Sequence, residues 1–287
     1  MMGPLFVLNT SPSWCCAIGA LISALMYGAG LIRIWGRAGI DHGVSVRQVI
    51  YFVLGWSAAI FPAVTALHTL GRQVFVLHML EHEILMVVAA PLLVLARPLP
   101  VLLWSLPARC RRALRAVSHS DAAQALWRGL TDPLNATAFQ GLALWIWHWP
   151  PFFQVALFDE SVHVAQHLSF LITALLLWWS VLAPRARRGG PVAGALALFV
   201  TTVHTSLLGA WVTFSRGFWY SEPYLGSFCG LTRVQDQQLA GLVMWIPASL
   251  IYVGAALYLL SASLRAEDDP DRTAKRGTRN EVASQIT

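Results

Sequence analysis

HMLEHEILMVVAAP (residues 78–91) sets two histidines four residues apart at the head of an apolar run long enough to cross a membrane. Residues i and i+4 share one face of a helix, so His78 and His82 point the same way. Glu81 and Glu83 lie beside them and are the only carboxylates inside any apolar run of the chain. An ionisable side chain in a bilayer costs roughly 2.5–3.5 kcal/mol even on lenient scales, so a group kept there is a candidate for function. A second stretch, HVAQH (residues 163–167), repeats the spacing at the head of another run.

Composition sets the class around these stretches. Of 287 residues, 56% are hydrophobic and 12% charged, against about 25% charged in an ordinary soluble domain. The net charge of +6 invites a nucleic-acid reading, but the basic residues lie between the apolar runs and not on a folded basic domain, so nucleic acid is not an expected partner. Thirteen tryptophans, many near the ends of runs, fit the aromatic belts of a membrane interface.

Seven apolar runs follow, at about residues 14–32, 48–67, 75–96, 137–157, 162–182, 192–214 and 238–260. The first lacks the small polar residues of a signal cleavage site and reads as an uncleaved span. The longest connection, from Arg97 to about residue 136, reads as a loop, and the polar tail 265–287 reads as disordered. Loops after spans one, three and five, with the tail, carry seventeen Lys and Arg; the opposite loops carry three. The positive-inside rule then puts the N-terminus outside and the C-terminus in the cytoplasm. The expected fold is an all-α polytopic membrane protein with seven transmembrane helices, in contact with the lipid bilayer.

This topology collects the histidines. His78 and His82 fall in the outer half of span three, His163 and His167 in that of span five, His148 in that of span four and His204 in that of span six, with His68 at the outer end of span two. Asp236, Gln237 and Gln238 begin span seven at the same level. Only His42 and His119 lie on the other side, in solvated loops. A lone membrane histidine usually makes an interhelical hydrogen bond, and that is the bland reading of His68 and His204. Two matched HxxxH pairs with further histidines beside them favour a metal or haem site. Glu81 and Glu83 read either as partners that fix histidine tautomers or as proton carriers, and they point to different helix faces. Imidazole suits Zn, Cu, Fe and Ni, and the thioethers of Met79, Met86 and Met244 draw the choice towards Cu(I). Cys15, Cys16, Cys110 and Cys229 form no CxxC spacing, so no thiolate site is signalled. Copper is the first choice, with haem and other metals left open.

The succession HMLEH with its apolar run and Pro91, then WIWHWPPFF (residues 145–153), HVAQHLSFL (163–171), a histidine in span six and DQQLAGLVMWIP (236–247) resembles the CtaG-like family of cytochrome c oxidase (caa-type) assembly factors. The resemblance runs from about residue 45 to 262. It implies a seven-span protein of the bacterial cytoplasmic (inner) membrane that supports metallation of the oxidase, with oxidase subunits as partners. The positions that carry over are His78, His82, His148, His163, His167, His204, Asp236, Gln237 and Gln238. His68, Glu81 and Glu83 lie outside the motifs. A non-enzymatic metallochaperone is the leading expectation, and homo-oligomerisation is left open. A transporter would need a polar path to the cytoplasmic side, where the spans have almost no ionisable residues. A haem or di-iron oxidoreductase is compatible with the histidine count, although HxxHH clusters are absent.

Overall fold

The computed structural model describes residues 14–183, 190–217 and 230–267. The tail from residue 268, Arg185, Arg187, Arg188 and Cys229 fall outside that set. The described residues contain helices and no strand: α1 (Trp14–Ala38), α2 (Val46–Val64), α3 (Ala66–Gly71), α4 (Phe75–Glu83), a π-helical segment (Ile84–Ala89), α5 (Ala90–Ala96), α6 (Pro98–Ser105), α7 (Ala108–Ser118), α8 (Asp121–Leu130), α9 (Pro133–Trp147), α10 (Pro150–Phe158), α11 (Glu160–Leu182), α12 (Gly190–Phe214) and α13 (Arg233–Glu267).

Among the described residues, six helical stretches are long and apolar enough to cross a membrane: Ala17–Ala38, Val46–Val64, Phe75–Ala96, Glu160–Leu182, Gly190–Phe214 and Arg233–Arg265. Their outward faces carry large apolar side chains such as Leu25, Phe199 and Leu250, while histidine, glutamine and threonine are buried inside. That is the arrangement of a chain solvated by lipid, where the polar groups must find one another within the bundle. The protein is an all-α, multi-pass membrane protein.

Three apolar stretches are shaped differently from the uniform spans expected. The fourth, expected over 137–157, starts at Pro133 and divides into α9 and α10. Pro150 and Pro151 cause the division: a residue before proline avoids the helical region, and Trp149 takes φ −67°, ψ 126°. The second, expected over 48–67, ends at Val64, because Thr65 is extended and its hydroxyl caps the amide of Leu67. His68 therefore rides on the separate helix α3. The connection expected as a loop from 97 to 136 is mostly helical, as α6 to α8.

The third stretch fills 75–96 in one course, but its middle is π-helical. Pro91 supplies the reason. It has no amide hydrogen, and its ring clashes with the carbonyl four residues back, so the turn before it widens. The amide of Ala90 reaches back five residues to the Leu85 carbonyl. In that pattern the Met86 carbonyl is owed a hydrogen bond by residue 91, which is proline. The indole of Trp178 on α11 donates to it instead, at 2.9 Å.

Close helix packing completes the frame. α12 and α13 cross where Gly209 faces Gly241: a Cβ on Gly209 would stand 2.9 Å from the Gly241 carbonyl oxygen. Only glycine lets the two backbones approach so far. The helix pair brings the start of α13 beside α4. There the carboxylate of Asp236 accepts from the amides of Phe75 (2.8 Å) and Val76 (3.1 Å). α4 has no capping side chain of its own; a residue 161 positions later serves instead.

A candidate metal centre between α3, α4 and α11

α4 and α11 each present an HxxxH pair, and the local sequence sets where on the helix each pair falls. Asp159 caps α11 by accepting from the amides of Ser161 (2.8 Å) and Val162 (3.1 Å), so His163 lies one turn into the helix and His167 two. Asp236 sets the start of α4 in the same way, with His78 and His82 one and two turns in. The imidazoles then meet. Ring centroids are 4.5 Å apart for His78 and His82, 4.3 Å for His163 and His167, 5.2 Å for His78 and His163, and 5.0 Å for His82 and His167.

Three of them converge most closely. His78, His163 and His167 place one potential ligand atom each within 4.8 Å of one another. His78 and His82 are fully buried, His163 is 1% exposed, and both ring nitrogens of His78 and of His82 lack a hydrogen-bond partner. Burying an imidazole without a partner costs free energy, and native structures rarely leave such groups alone. Such a cluster of imidazoles offers donors that could hold a metal ion. Phe153 and Phe170 flank the cluster at 5.0 Å from His78 and 4.7 Å from His82, which keeps it dry on those sides.

A second group overlaps the first. His68, Glu81 and His163 also place one potential ligand atom each within 4.8 Å. Glu81 is fully buried and both its oxygens lack a hydrogen bond. Its Oε2 stands 3.7 Å from His68 Nδ1 and 3.8 Å from His167 Nε2. Gly71 makes this possible: a Cβ there would be 2.8 Å from Glu81 Oε1 and 3.3 Å from His78 Cα. Arg72, next along, donates to Glu160 Oε2 at 2.8 Å and to the Leu157 carbonyl, pinning α3 against the α10–α11 corner.

The other expected site residues lie around this centre or away from it. His148 ends α9, donates from Nδ1 to the Leu144 carbonyl at 2.8 Å, and turns Nε2 towards Met79 Sδ at 3.4 Å. Its ring is 5.9 Å from His82. His204 packs on Gly141 of α9 and joins none of these ring contacts. Met86 Sδ accepts from Gln140 Nε2 at 3.0 Å, and Met244 is part of the apolar core. Glu83 is buried on a different face of its helix from Glu81. Asp236 is a helix cap, Gln237 Nε2 donates to the Gly217 carbonyl at 3.1 Å, and Gln238 turns its side chain outward.

Two contributors were not singled out beforehand. Glu160, three residues before His163, stands with Oε1 3.6 Å from His68 Nε2. Gly71 carries no chemistry and shows itself only in packing. The spacing EXXH (residues 160–163) was the available signal for the first; nothing in the sequence announced the second.

The uncharacterized protein Mb0105 of Mycobacterium bovis and the uncharacterized protein MT0111 of Mycobacterium tuberculosis are each 25% identical to this chain over 284 residues, covering 90% of it. The chain spans 40% of the length of either relative. No solved structure matches it. The family described as cytochrome c oxidase caa3 assembly factor matches residues 25–266, and the chain belongs to that family.

Proposed function

We propose that the protein supports assembly of cytochrome c oxidase by holding copper among the imidazoles of α4 and α11 and passing it to an oxidase subunit. The observation that carries this reading is the convergence of buried His78 and His163 with half-buried His167, within 4.8 Å. Family membership supports an oxidase component as the client, and the donor chemistry supports copper as the cargo, since imidazole suits copper and three neutral ligands leave room for a fourth from the client. An incoming ligand then binds before an old one leaves. The close stacking of the rings favours a bare ion over a porphyrin inserted between them.

In this reading the chain crosses the bacterial cytoplasmic membrane seven times, with α9 and α10 together as the fourth crossing. The N-terminus is outside, and the copper centre opens to the outer side. The protein acts as a metallochaperone and performs no net chemistry on its cargo.

Metal analysis and an absorption spectrum of detergent-purified protein test this, with wild type beside the His78→Ala/His163→Ala double variant. Near-stoichiometric copper in wild type and none in the variant is expected. A Soret band would replace copper with haem, and the absence of any metal after reconstitution would remove the metal function.

A further inference from the structure

The copper reading uses the three imidazoles and leaves Glu81 unexplained. A fully buried carboxylate with neither oxygen hydrogen-bonded is costly in a membrane protein. It also has company: His68 and His163 approach it with ligand atoms, the three lying within 4.8 Å. We propose that His68, Glu81 and His163 form a second station for the ion, through which copper enters on its way to His78 and His167. This rests on the copper reading above.

Exposure falls along the first part of the path: the side chain of Glu160 is 43% exposed, that of His68 16% and that of Glu81 0%, while His167 of the receiving group is 17% exposed. Glu160 is paired through Oε2 with Arg72 at 2.8 Å and keeps Oε1 3.6 Å from His68 Nε2, so a cation that reaches this oxygen meets His68 next. At Glu81 the ion gains a compensating charge at the depth where a bare cation would otherwise be most costly. A carboxylate is a hard donor and a poor match for Cu(I), so the mixed station holds the ion more weakly than three imidazoles do. His163 is common to both groups. The ion therefore keeps one nitrogen bond while it exchanges His68 and Glu81 for His78 and His167. No electron is transferred and the oxidation state of the ion is unchanged; only donor bonds are exchanged.

Because His163 is shared, one ion occupies either station at a time, and the outer one controls rate more than final affinity. The test is anaerobic loading of the purified full-length protein with Cu(I) from a coloured chelate, following both the rate of chelate decolorisation and the equilibrium end point. Glu81→Gln and His68→Ala are expected to slow loading by about tenfold, in the range typical of lost supporting ligands, with wild-type stoichiometry at equilibrium. Gly71→Ala, which crowds Glu81 and removes no ligand, is expected to behave like Glu81→Gln. His78→Ala is expected to lose equilibrium affinity while keeping the fast first encounter. Wild-type loading rates in Glu81→Gln and His68→Ala overturn the outer station and leave the copper centre standing. Loss of equilibrium binding in His68→Ala and Gly71→Ala as severe as in His78→Ala merges the two stations into one and also overturns it. A wild-type protein that takes up no copper removes both readings together.

Discussion

At the scale of single residues, much of the polar chemistry assigned to the outer level turns out to hold helices in place. Asp236 caps α4 from across the bundle. Asp236→Ala leaves two buried amides at a helix start unpaired and is expected to cost about 1–2 kcal/mol, the upper part of the range for lost caps. Asn at this position keeps an acceptor and should recover most of that. Thermal unfolding in detergent, with copper affinity as a second readout, separates this structural role from a direct ligand role: Ala should lower stability much more than affinity. His204 gives the opposite check. It packs on Gly141 away from the ring cluster, so His204→Ala is expected to leave copper stoichiometry at the wild-type value, as read by metal analysis. A loss of bound copper there would bring α12 into the centre.

At the scale of elements, Pro91, the π-helical segment and Trp178 form one device. The proline deprives the Met86 carbonyl of its amide partner, and the indole of α11 replaces it. Trp178→Phe leaves that buried carbonyl unpaired, at an expected cost of about 1–3 kcal/mol. With Pro91→Ala in the background, residue 91 regains an amide hydrogen and the same change should cost less. A double-mutant cycle on unfolding stability measures this coupling, and additive losses would sink it. This device was only half legible. Pro91 stood in the quoted stretch, but its partner was 87 residues away, and periodicity is silent about such pairs. The HxxxH pairs were legible because i and i+4 spacing is a local fact. The division of the fourth span was legible too in WPP (residues 149–151), yet hydropathy averaged across it. His68 was harder: an apolar count carried span two through Thr65, where an extended backbone and a hydroxyl cap start a new helix.

At the scale of the whole molecule, the expected orientation rests on charge asymmetry between the loops, while the two faces of each helix separate lipid from bundle interior. Cys110 is exposed on α7, among the arginines of the side assigned to the cytoplasm. With the other cysteines replaced, it should resist a membrane-impermeant maleimide in intact spheroplasts and react once they are opened. A cysteine substituted for Glu160 should react in both. The reverse pattern would invert the protein and move the histidine cluster inside. The cap on α4 has a consequence of another kind, in time. Asp236 is synthesised 161 residues after Phe75, a lag of roughly 8–32 s at bacterial translation speeds of 5–20 residues per second. Throughout that interval the first turn of α4 lacks its cap. The start of the helix that carries His78 and His82 is therefore completed only after the residues that open α13 have been made.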